Sequence, residues 1–92
     1  MKWTEYIAMP FGHEHANRFW QCKIDDTHFA NIYKYKKQKS ILTGYDLEIQ
    51  INDKKSIVGQ TINVLAFSYH GIKFNFKRFE KDAKNIIKAL TT

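Results

Sequence analysis

Apolar and polar positions along the chain follow two different periods. GYDLEIQIND (44–53) alternates most cleanly, with Tyr45, Leu47, Ile49 and Ile51 on one side and Asp46, Glu48 and Gln50 on the other. A period of two marks a strand with one buried face. IKFNFKRFEKDAKNIIKAL (72–90) begins the same way: Ile72, Phe74 and Phe76 alternate with Lys73, Asn75 and Lys77, which predicts another half-buried strand. From Phe79 the apolar spacing becomes 79, 83, 86, 87 and 90. At about 100° per residue these positions fill one arc of a helix, and Lys81, Lys84 and Lys88 gather opposite. A strand is therefore expected to lead through Lys77–Arg78 into a terminal amphipathic helix. Glu80 and Asp82 near its start and Lys88 near its end suit the helix dipole.

The rest of the chain reads mainly as strands. KWTEYIAMPF (2–11) is expected to be extended until Pro10 and Gly12 stop it, and GHEHAN (12–17) reads as a loop. RFWQCKID (18–25) alternates Trp20, Cys22 and Ile24 with Phe19, Gln21 and Lys23, and Asp25–Asp26 suits a hairpin turn. HFANIYKYKK (28–37) fits two patterns. As a strand it places Phe29, Tyr33 and Tyr35 opposite Ala30, Ile32 and Lys34; as a helix it stripes Phe29, Ile32 and Tyr33 behind a Thr27 cap. TINVLAFSYHG (61–71) is similarly double, with Ile62, Leu65, Ala66 and Tyr69 at helical spacing and Ile62, Val64 and Ala66 alternating. Tyr, Ile, Val and Thr favour the strand reading in both segments. SIVGQ (56–60) reads as extended after an NDKKS turn, and His70–Gly71 as a tight turn. The expected fold is α+β, an antiparallel sheet of about four to six strands packed against a C-terminal amphipathic helix. With 92 residues, one domain is expected over 1–92.

Composition supports that core and adds a charge. Seven Phe, five Tyr and two Trp supply large buried areas to a short chain. The net charge of +6 arises in two blocks. KYKKQKSI (34–41) holds four lysines without an acid, and 73–92 holds six basic groups against two acidic ones. One cysteine, Cys22, precludes an internal disulfide and favours a reducing, cytoplasmic setting. Residues 1–20 lack the apolar run of a secretory signal, and VLAF (64–67) is too short to span a bilayer, so no membrane partner is expected.

Candidate chemistry is sparse. His13-Glu14-His15 in a loop could ligate a metal with His28, His70 or Cys22, but the spacing is not that of HExxH, and a polar surface loop explains it. Cys22 on an apparent core face reads as a small hydrophobe. Asp46 and Glu48 share a strand face, as carboxylates of metal-dependent nucleases do, but Lys54 and Lys55 lie beyond the strand positions such a site would use. A metal-dependent nuclease, or a metal-free ribonuclease using His13, His15 or His28 with Lys23, is the residual enzyme reading. No catalytic set or cofactor is expected.

The basic groups point elsewhere. Lys34, Lys36, Lys37 and Lys39 interleave with Tyr33 and Tyr35, a pattern that combines phosphate neutralisation with base stacking. Arg18 and Lys23 flank Phe19 on another strand, and Lys77, Lys81, Lys84 and Lys88 would form a second row. Lysines on the back of a helix also serve plain solubility. Lysine outnumbers arginine thirteen to two, which argues against sequence-specific duplex reading. The expectation is nucleic-acid binding, single-stranded included, through one positive face joining KYKKQK to the helix or to Arg18 and Lys23. The alternative is an accessory or inhibitor protein that occludes an acidic protein partner through exposed aromatics or a sheet edge. A self-associating role is the third reading.

Overall fold

The computed structural model describes residues 2–7, 16–35, 44–53, 60–71 and 73–91. Five strands and one helix follow in order: β1 (Trp3–Tyr6), β2 (Ala16–Lys23), β3 (His28–Tyr35), β4 (Gly44–Asp53), β5 (Gln60–His70) and α1 (Phe76–Thr91). The strands form one antiparallel meander in the order β1-β2-β3-β4-β5. The α+β class and the terminal helix are thus as the periodicity predicts. Both ambiguous segments are strands where described. The part of 28–37 beyond Tyr35 lies outside the described residues, as do 8–11 of the expected first strand and 56–59 of SIVGQ.

The β2–β3 turn is locked by one carboxylate. Oδ1 of Asp25 accepts the backbone N–H groups of Thr27 and His28, each at 2.8 Å, and Nδ1 of His28 at 2.9 Å. At the end of β5, Gly71 has φ of 66°, a left-handed conformation that costs a residue with a Cβ roughly 1–2 kcal/mol. The chain turns there and enters α1.

Its entry corrects one expectation. Residues 73–75 are not a strand, and the helix begins at Phe76. Oδ1 of Asn75 accepts the N–H of Arg78 at 3.3 Å, and the carbonyl of Asn75 accepts the N–H of Phe79 at 3.1 Å. Asn75 is therefore an N-cap, which satisfies donors that a helix start otherwise leaves open. Phe74 and Phe76 turn into an aromatic cluster with Trp3, Trp20, Tyr45 and Phe79 instead of lining a strand face.

Helix α1 packs over β3 and β4. Phe79, Ala83 and Ile87 are buried against Trp20, Ala30, Ile32, Tyr45, Leu47, Ile49 and Tyr69. Each fully buried large side chain contributes about 1.5–3 kcal/mol. Ile86 is half-buried, and Leu90, expected in the same arc, is 51% exposed because the last turn runs past the sheet cover. The sheet also buries part of its other face. Ala16, Phe19 and Tyr33 form a second buried cluster there, with Tyr35 packed against them.

Candidate nucleic-acid interface

The outer face of α1 is lysine, and the reason lies in where its acids go. Lys77, Lys81, Lys84 and Lys88 are exposed along the helix, with Lys73 exposed just before it. Glu80 instead accepts the indole N–H of Trp3 at 2.8 Å. Asp82 accepts the hydroxyl of Tyr69 at 2.6 Å and has Arg78 Nε at 3.9 Å. The Arg78 guanidinium also lies over the Tyr69 ring, 5.5 Å from its centroid. Burial, then the bond to Asp82, pushes the Tyr69 hydroxyl well above its ordinary range. Both helix carboxylates are therefore tied to aromatic donors of the sheet, at the flanks of the lysine row.

The sheet separates residues that the sequence grouped together. Arg18 pairs with Lys34, and Lys34 with Tyr45, in a row on the α1 side. Arg18 is exposed, with Glu5 at 3.7 Å. Lys23 belongs to the opposite face, with Phe19 and Gln21, and lies 3.5 Å from Asp26. Arg18 and Lys23 thus do not flank Phe19 on one surface, because strand alternation turns them apart. Arg18, Lys34 and the α1 lysines do share one side of the sheet. Lys36, Lys37 and Lys39 lie outside the described residues.

The two tyrosines expected to stack on bases are covered to different degrees. Tyr33 is 1% exposed, stacked on Phe19 at 4.9 Å and 7°, with Phe19 stacked in turn on Tyr6. Phe19 is accordingly buried, covered by Tyr6 and Tyr33. Tyr33 donates to Oε1 of Glu48 at 2.9 Å, and burial followed by this carboxylate raises its hydroxyl far above the usual value. Tyr35 is half-buried; burial and then its bond to Asp46 push it up to about 12.

Glu48 itself corrects the expectation of a solvated carboxylate face. It is 5% exposed and accepts from Tyr33 and from Nδ2 of Asn31 at 3.3 Å. Asn31 also donates to Gln50, Gln21 donates to Asn31 and Gln50, Gln50 donates to Asn52, and Thr61 donates to Asn52. This amide chain crosses β2, β3, β4 and β5. Buried carboxylates and amides persist only when partnered in this way. The network ties Oε1 of Glu48 to Tyr33 and Asn31.

Cys22 is buried, its Sγ donating to the Lys23 carbonyl at 3.8 Å. Burial, then the charge of Glu80, raises its thiol away from the nucleophilic thiolate. Burial is the largest single influence on Asp25 and raises it, but the bonds from His28 and Thr27 together outweigh it and lower its pKa. His70 is exposed at the end of β5, and His13 and His15 lie outside the described residues. Among the described residues, no three His, Cys, Asp or Glu side chains group to hold a metal ion, and no helix is long and apolar enough to cross a membrane.

Sequence reasoning missed Trp3 and Tyr69 as the anchors of the helix acids, and Asn75 as its cap. Asn75 was findable, since asparagine before an amphipathic run is a start signal. The Trp3–Glu80 bond spans 77 positions and leaves no local trace. No protein-family model, curated protein or solved structure matches the chain.

Proposed function

We propose that this chain is a binding protein that contacts nucleic acid through the lysine face of α1, without reading sequence. The carrying observation is the exposed row Lys77, Lys81, Lys84 and Lys88 on a helix whose two carboxylates are held by Trp3 and Tyr69. From Lys77 to Lys88 the helix rises about 16 Å at 1.5 Å per residue, the length of roughly five phosphates along one strand. Lysine supplies charge without the bidentate geometry that selects a base. With Tyr33 buried and Tyr35 half-buried, affinity rests on phosphate neutralisation more than on stacking. Arg18 and Lys34 extend the same side. A reducing, cytoplasmic setting fits the single buried thiol.

The test is a mobility-shift series with single-stranded and duplex oligonucleotides of several sequences. Binding should be insensitive to sequence. Its logarithm should fall linearly with log salt, at about −0.9 per neutralised phosphate for duplex and about −0.7 for single strands. Replacing Lys77, Lys81 and Lys84 by Gln should flatten that slope by about 2–3 while thermal unfolding stays unchanged. Absence of micromolar binding to either form at low salt removes this reading. A second reading, occlusion of an acidic protein partner, is favoured by Tyr33, the ring expected to stack on bases, being buried on the sheet face opposite α1. It requires salt-sensitive capture of an acidic protein by a chain that binds neither oligonucleotide.

A further inference from the structure

We propose that two copies of this chain pair antiparallel through β5. The strand is one margin of the sheet, and among the described residues nothing pairs with its outer side. It is eleven residues long and carries no charged side chain, QTINVLAFSYH. Margins of this kind are usually guarded by lysine, proline or brevity, because their open N–H and C=O groups template another strand. Here they are flanked by exposed apolar side chains: Ile62 at 48%, Val64 at 36%, Leu65 at 61% and Phe67 at 51%. Helix α1 lies over β3 and β4 and leaves Ile62, Val64 and Phe67 uncovered, while Leu65 is exposed on the opposite face. The opposite margin, β1, has four residues and an ion pair between Glu5 and Arg18.

Three observations select a second copy as the occupant. Two chains of charge +6 repel each other, and β5 is the stretch where they can meet without opposing lysines. The strand is also self-complementary. A two-fold axis at Asn63 sets Ile62 of one copy against Val64 of the other on the helix side. On the other side it sets Thr61 against Leu65 and Asn63 against its own counterpart. Every pair keeps its face, since Ile62 and Val64 pair with Ile51 and Ile49 of β4, and Thr61, Asn63 and Leu65 pair with Asn52, Gln50 and Glu48. Finally, the register shift opposite Leu47 and Glu48 leaves Ala66 as a bulge, which bends the strand and confines regular pairing about this axis to Thr61–Leu65. A contact this short falls below about 1,200 Å², so the dimer dissociates on dilution. The axis runs perpendicular to the sheet, and both α1 helices land on the same side of ten continuous strands.

Sedimentation velocity across a concentration series tests this, together with two double variants at exposed positions. The wild-type chain should shift from monomer to dimer as concentration rises. Thr61→Lys with Leu65→Lys opposes like charges twice across the axis and should stay monomeric. Thr61→Glu with Leu65→Lys opposes unlike charges at the same places and should dimerise at least as well as wild type. Circular dichroism should show the same fold in all three. A wild-type chain that stays monomeric at the highest concentration overturns the proposal, and so does a double-lysine variant that dimerises like wild type.

Discussion

Tyr33 and Glu48 form the least replaceable polar contact in the sheet. The carboxylate is buried and takes a phenolic hydrogen at 2.9 Å. Tyr33→Phe removes that donor and should cost about 1.5–3 kcal/mol, the range for a bond to a charged group, measured by urea unfolding. The tyrosines also set an alkaline limit. Their hydroxyls are raised in the fold, so the neutral form is the one the fold favours. That contribution is complete below the ordinary tyrosine value of about 10 and is lost as pH rises through the folded values. Tyr35 marks part of that window at about 12. Unfolding midpoints should hold up to about pH 10 and then fall. Tyrosinate absorbance should show Tyr33, Tyr35 and Tyr69 ionising together with loss of structure. In the sequence, alternation placed Tyr33 and Glu48 on the faces they occupy. It did not reveal that they meet, because that depends on the β3–β4 register, which pairs Tyr33 with Asp46 and Asn31 with Glu48.

At the level of elements, α1 was the most legible part and its first turn the least. The spacing of Phe79, Ala83 and Ile87 specifies the buried stripe wherever the helix starts. Phe74 and Phe76 are two apart, a spacing that a strand explains equally well. Only their packing on Trp20 and Trp3 decides the matter. Asn75→Ala should destabilise the protein by about 1 kcal/mol through loss of the cap, whereas Asn85→Ala, on the exposed face, should change the urea midpoint little or raise it. The segment 61–71 held both periods, and the helical one failed because β4 offers Ile49 and Ile51 as partners for Val64 and Ile62. A lone sequence does not display that neighbour. The same holds for the basic groups: alternation separates Arg18 from Lys23, but which side carries the helix is a tertiary fact.

For the whole molecule, charge and greasy margin lie on different parts of the surface, and ionic strength acts on them with opposite sign. Added salt should weaken oligonucleotide binding by restoring counterions to phosphate. It should strengthen self-pairing, because screening at about 8–10 Å relieves repulsion between two cationic chains. One sedimentation series with and without oligonucleotide, at low and moderate salt, checks both signs. The unequal margins carry one more consequence. A sheet that could add neighbours at both sides would grow into fibres, but among the described residues β1 is short and ion-paired, which disfavours a third strand system there. Growth is capped at the first addition, and the chain can keep an adhesive border without becoming a polymer.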